Sequence, residues 1–276
     1  MESLELAAVR ESLQTRLLVE LMSNAMHKEL VLKGGMAMRA VHGSVRYTKD
    51  IDLDADLKFS RARVHGIVQR SIQRALSAGL IDNPTVTEPK QTETTMRWKI
   101  VGTQPGGQAP VNLTVEVSRR TALLGGRVVE IPLNPEHMAG NGVRIQVLDS
   151  QAIAVTKVLA LTDPKRMAPR DLYDLHVLIQ ARVDEPAALL ASLPDAGERL
   201  PQALTELWPK IESMSFDQFR SEVTPYLPLH VAQAIDEAAF DDMRLDVGTQ
   251  VEKWLLAATG KTSTREGPVP ARKPRP

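Results

Sequence analysis

The chain has 276 residues, enough for one large domain or two modest ones around a real apolar core. Lys plus Arg and Asp plus Glu each total 34, so no overall field draws the molecule to a polyanion and any such attraction has to be local. The absence of cysteine excludes disulfides, thiolate zinc sites and cysteine nucleophiles, while Met1-Glu2-Ser3-Leu4-Glu5 has no leader character and no run of about 20 apolar residues follows, so a cytoplasmic protein with no membrane role is expected.

Residues 3–29 read as a helix, with Leu6, Val9, Leu13, Leu17, Leu18, Leu21 and Met22 recurring at three- and four-residue spacing. Val31-Leu32-Lys33 is a short apolar run ended by Gly34-Gly35, and a small-residue helix is expected from Met36 to about Val41. From Tyr47 to Asp54 the pattern is that of a strand, in which Asp50, Asp52 and Asp54 alternate with Ile51 and Leu53. Ser60 is placed to cap a helix running to about Ala78, where Gly79 stops it. Between Thr85 and Ile131 strands take over; 96–101 and 111–117 are the clearest, joined by a loop rich in glycine and proline.

Val143 to Leu148 reads as another strand, followed by a helix capped by Asp149-Ser150 that carries Lys157. A basic loop from Pro164 to Pro169 leads to a helix beginning near Pro169-Arg170-Asp171. Beyond Val183 several helices are expected, separated at Pro194, Pro209, Pro225, Pro228 and Gly248, and the Pro-rich basic tail from Lys261 has too little apolar content to order. The fold class is therefore α+β: a mixed sheet with flanking helices in residues 1–150, a helical domain in 151–260 and a tail in 261–276. There is no internal repeat.

A glycine pair between strand and helix lets backbone amides approach a phosphate, and equally serves any tight turn. Asp50 and Asp52 share one strand face with their roots roughly 6–7 Å apart, close enough to hold a hard divalent cation and otherwise open to reading as an exposed acidic edge. Glu116 lies on the polar face of its strand with Asn112 and Thr114. If that strand neighbours the aspartate strand, the three carboxylates form a cluster able to hold Mg²⁺ and to take a proton from an attacking hydroxyl. Lys157 could neutralise phosphate charge, whereas Asp171 and Asp174, three apart on a helix, also fit a capped helix with a salt bridge to Arg170. The six histidines show no metal-ligand spacing.

The order of these pieces is more specific than any of them. Leu32-Lys33-Gly34-Gly35-Met36-Ala37-Met38-Arg39, then Arg46-Tyr47-Thr48-Lys49-Asp50-Ile51-Asp52-Leu53, then 113–119, Lys157, and finally Arg170-Asp171-Leu172-Tyr173-Asp174-Leu175 resemble the AbiEii/AbiGii-type nucleotidyltransferase toxins, MenT enzymes included. The resemblance covers roughly residues 28–180. It implies a DNA polymerase β-like nucleotidyltransferase fold followed by a helical domain. Gly34 and Gly35 would cradle a triphosphate, Asp50 and Asp52 would bind Mg²⁺ or Mn²⁺ with Glu116 as the third carboxylate, and Lys157 would contact phosphate. Asp171 or Asp174 would serve in the last motif. The family pattern often has Ser or Thr after the glycines; Met36 stands there, so the phosphates would rely on backbone amides and on Lys33 or Arg39.

The implied function is a monomeric toxin of a type IV toxin–antitoxin or abortive-infection system. It would transfer nucleotide from NTP to RNA, at the tRNA 3′ end in the MenT type, and be neutralised by a cognate antitoxin. Arg119, Arg120, Lys165 and Arg166 are expected around the cleft to hold the acceptor. Thr48, two residues before Asp50, is a candidate for regulatory phosphorylation, as in the MenT relatives. Transfer to a small-molecule or protein hydroxyl, and a non-catalytic NTP-binding regulator, are the competing readings.

Overall fold

The computed structural model describes residues 4–23, 29–119, 127–133 and 143–261. Helix α1 (Leu4–Met22) is followed by β1 (Leu30–Lys33), α2 (Gly34–Ala40), β2 (Asp50–Ala55) and α3 (Arg61–Leu76). Three longer strands come next, β3 (Asp82–Gln91), β4 (Thr95–Thr103) and β5 (Pro110–Ser118), and then β6 (Val128–Pro132) and β7 (Arg144–Leu148). The seven strands form one mixed sheet in the order β3-β4-β5-β2-β1-β7-β6. β2 runs parallel to β5 and antiparallel to β1, while β1 runs parallel to β7.

Register divides the sheet into an apolar and a polar face. Val147, Leu32, Leu53, Val117 and Met96 pair strand by strand across β7, β1, β2, β5 and β4, and all are buried. The next row out of phase is charged throughout: Lys33, Asp52, Glu116, Arg97 and Lys90, on β1, β2, β5, β4 and β3. Directly paired residues project to the same side of a sheet, so the alternation seen in each strand becomes two continuous surfaces. Helices α1 and α3 cover the apolar one. Trp98 of β4, fully buried, donates its indole N–H to Gln69 of α3 at 3.1 Å and packs beside His65.

After β7 the chain becomes helical, with α4 (Ser150–Leu161), α5 (Pro169–Gln180), α6 (Ala187–Ala191), α7 (Ala196–Ser213), α8 (Phe216–Glu222), a 3₁₀ turn at Thr224–Tyr226, α9 (Leu229–Ala234) and α10 (Glu237–Ala258). Asp149 caps α4 by accepting from the Ala152 amide at 2.9 Å. A single apolar core runs from the sheet through α4 and α5 to α10. No helix among the described residues is long and apolar enough to cross a membrane.

Three expectations change. Pro209 and Gly248 do not separate helices: Pro209 lies inside α7 and Gly248 inside α10. The apolar stripe Leu200, Ala203, Leu207 and Ile211 holds α7 together, and its two prolines, Pro201 and Pro209, are turned to solvent. Gly248 is where α10 meets Trp208, whose ring would lie 3.0 Å from an added Cβ. β2 begins at Asp50 rather than Tyr47, because the preceding backbone bonds elsewhere: the Tyr47 amide donates to the Tyr226 carbonyl at 2.7 Å. Residues 3 and 24–28 of the expected first helix and residues 262–276 of the tail lie outside the described residues.

Candidate active site

Gly34 ends β1 and opens α2 with φ of +68°, a conformation that side chains disfavour. A Cβ there would stand 2.3 Å from Asp52 Oδ2, so the carboxylate of Asp52 rests directly on the glycine turn. Gly35 is equally close-packed, since its Cβ would lie 3.1 Å from Thr48 Oγ1 and from Arg46 Nη2. Met36, at the position where a hydroxyl residue is common, is fully buried in the core. The hydroxyl beside the turn belongs to Thr48, which also accepts from the Asp50 amide at 3.3 Å.

Asp50 and Asp52 lie on the polar face of β2, and Asp52 pairs with Glu116 of β5. The adjacency on which a third carboxylate depends is therefore present. Burial, then repulsion from Asp50 and Glu116, pushes the Asp52 carboxyl up to about 6 against the opposing pull of Lys33 and Lys157. Lys33 bridges to Asp54 at 2.5 Å. Glu116 is held from its other side by Arg97, whose Nε and Nη2 donate to Glu116 Oε2 at 2.8 and 2.5 Å. Accordingly, no group of three His, Cys, Asp or Glu side chains among the described residues is closed into a ready metal cage. The donor chemistry still suits a hard cation: oxygen ligands only, side by side on adjacent strands, with one carboxyl made costly to ionise by burial and by its like-charged neighbours. Arg97 is the site residue that motif reading misses. Its signal was the alternation of Arg97 and Lys99 with Met96, Trp98 and Ile100.

Behind the turn lies a buried ion network. Asp174, fully inaccessible to solvent, receives Arg46 Nε and Nη2 at 3.0 and 2.8 Å and Lys157 Nζ at 2.6 Å. Lys157 also donates to Asp171 Oδ1 at 2.8 Å, and Arg166 to Asp171 Oδ2 at 2.6 Å. Burial works against the charge on Asp174, but Lys157 and Arg46 outweigh it and hold the carboxyl below its ordinary range. Burial likewise opposes the charge on Lys157, and Asp174 and Asp171 reverse the effect and raise its pKa. The partner of Asp171 is thus not Arg170, which instead donates to the Glu222 carbonyl and stacks on Tyr226.

The structure places several expected contacts elsewhere. Lys157 and Asp174 face each other in the core rather than an open cleft, and fix Arg46 above Gly35. Arg39 does not reach the turn: its guanidinium grips Glu11 of α1 at 2.5 and 3.2 Å and lies over the Tyr47 ring. Arg119 is buried and bonded to the carbonyls of Phe59 and Glu93, so it cannot hold an acceptor, and Arg166 is tied to Asp171. Lys165 is exposed beside the α4–α5 connection, while Arg120 lies outside the described residues.

A mixed sheet with two carboxylates on the strand after a glycine turn, and a third on the parallel neighbour, is the frame of a nucleotidyltransferase. Residues 16–258 match the family described as Nucleotidyl transferase AbiEii toxin, Type IV TA system, and the chain belongs to that family. In structure it is similar to a candidate nucleotidyltransferase from H. pylori, with a TM-score of 0.54 and 20% identity over 91% of this chain and 95% of that one. It is similar also to JHP933 from Helicobacter pylori, with a TM-score of 0.54 and 19% identity over 92% and 94%. At such identities the likeness is one of fold. No curated protein matches the chain in sequence.

Proposed function

We propose that this chain is a divalent-metal-dependent toxin that transfers a nucleotide from NTP to an RNA acceptor, the tRNA 3′ end, and that a cognate antitoxin restrains it. The observation that carries the reading is the pairing of Asp52 with Glu116 against the Gly34 turn. Mg²⁺ or Mn²⁺ would be held by Asp50, Asp52 and Glu116, and when bound supplies neutralisation of the phosphate oxygens and of the crowded carboxylates. The glycine turn admits the triphosphate to the backbone at Gly34 and Gly35, and Lys33 offers a cation beside it. The acceptor hydroxyl oxygen forms a bond to the α-phosphorus as the bond to the β-phosphate bridging oxygen breaks. Pyrophosphate leaves, and the hydroxyl proton passes to a Glu116 carboxylate oxygen. Lys157, Asp171 and Asp174 act as positioning residues, through Arg46 and the loop that carries Thr48.

Incubation of the purified chain with labelled NTPs, Mg²⁺ and total tRNA tests the reading. Label enters RNA with wild type, and D52N lowers the rate at least about 100-fold, in line with loss of a metal ligand or transition-state contact. A folded wild type that labels no RNA removes the proposal; label found instead on protein or on a small molecule selects the competing acceptor.

Thr48 carries the regulatory part of the reading. Its hydroxyl lies at Gly35 and next to Asp50, so a phosphoryl group there places about two negative charges where the triphosphate has to sit. T48A is then expected to escape neutralisation by its antitoxin in a growth assay. Neutralisation as complete as for wild type excludes the mechanism.

A further inference from the structure

We infer that the open polar face of β4 and β3 is the surface on which the RNA acceptor's phosphate backbone lies, with Lys90 and Lys99 as its cations. The inference rests on the transfer reading above and locates its acceptor. In-line displacement puts the attacking hydroxyl and the departing pyrophosphate on opposite sides of the α-phosphorus. The glycine turn and Lys33 stand on the β1 side of Asp52, and Glu116 stands on the β5 side. A triphosphate held at the turn therefore leaves attack to come from β5, and the strands beyond β5 are β4 and then β3.

The charge along that path is sorted. One row reads Asp52, Glu116, Arg97, Lys90, and the next reads Asp50, Thr114, Lys99, Thr87. From the carboxylates outward, the first row runs from acidic to basic over three strand spacings, about 14 Å, and the second reaches its lysine after two and ends on a threonine. Lys90 and Lys99 are exposed, and their side chains make no ion pair or hydrogen bond among the described residues. The acids of the same hairpin are drawn to the opposite side or to its end: Glu88 meets His65 of α3 at 2.9 Å, and Glu93 meets Arg61 and Arg119. Arg97 joins the two zones, its guanidinium on Glu116 and its side chain 42% exposed. A strip of unpaired cations with hydroxyls between them, ending on a carboxylate pair, suits a chain of phosphodiesters whose terminal hydroxyl enters the site.

Full-length wild type, K90E/K99E and a control, R70E/R74E, whose exposed residues lie on α3 across the sheet, distinguish the possibilities. Binding of 5′-labelled tRNA is followed by fluorescence anisotropy from about 50 to about 200 mM salt without NTP, and transfer to the same RNA is then assayed. K90E/K99E is expected to bind at least about 10-fold more weakly, with a log–log salt slope lower by about 1.4 to 1.8 as two phosphate contacts are lost. Its KM for RNA rises in step while its KM for NTP does not, and R70E/R74E behaves as wild type. K90A/K99A, which introduces no new charge, shows the same change in slope with a smaller loss of affinity. If wild type labels RNA and K90E/K99E matches R70E/R74E in affinity and slope, the acceptor surface is elsewhere and the proposed function stands. A wild type that labels no RNA overturns both.

Discussion

Asp52 sits where burial and like charge meet. Its carboxyl titrates near 6 in the folded chain against an ordinary value of 3.8, so protonation favours the fold. That contribution is fully present below the unfolded value and disappears as pH rises through about 6, a loss of about 3 kcal/mol in the metal-free protein. A divalent cation reverses the sign, because it binds the ionised carboxylates. Mg²⁺ is accordingly expected to raise Tm by several degrees at pH 7.5 and hardly at all at pH 5, as read by thermal shift. An equal shift at both pH values, or no shift in D52N and wild type alike, is inconsistent with a metal at these carboxylates. At this scale the sequence was informative where chemistry and alternation coincide, as at Asp50, Asp52 and Glu116. It was least informative for Arg39, Arg119 and Arg97, because a guanidinium reads identically whether its partner is a buried Glu11, a backbone carbonyl or the carboxylate of Glu116.

At the level of elements, the ion network behind the turn joins three pieces of chain: the loop before β2, α4 and α5. Arg46 reaches from the loop, Lys157 from α4 and Asp174 from α5. Removing the shared carboxylate strands two buried cations. D174A is therefore expected to cost about 3–5 kcal/mol by chemical denaturation, well above the cost of a typical exposed ion pair. A loss under about 1 kcal/mol would mean that the cations find water instead. The helix and strand types were legible because periods of 3.6 and 2 are written in Leu, Val and Ile. The three-way tie was not, since residues 46, 157 and 174 are brought together only by packing. Pro209 and Gly248 show the same limit: as local breakers they predict ends, and tertiary contact overrides them where α7 crosses α10.

Across the whole molecule, the row structure of the sheet has a consequence for folding itself. Side chains alternate strictly along β2, so a pairing error of one residue carries Asp50, Asp52 and Asp54 to the side covered by α1 and α3, and turns Ile51 and Leu53 to water. Three carboxylates in an apolar interior cost more than the marginal stability of a domain this size provides. Register fidelity and site assembly are thus coupled: the pairing that buries Ile51 and Leu53 is the same one that sets Asp52 beside Glu116. A partner that reads the polar face of the sheet therefore reads the register of β2 at the same time.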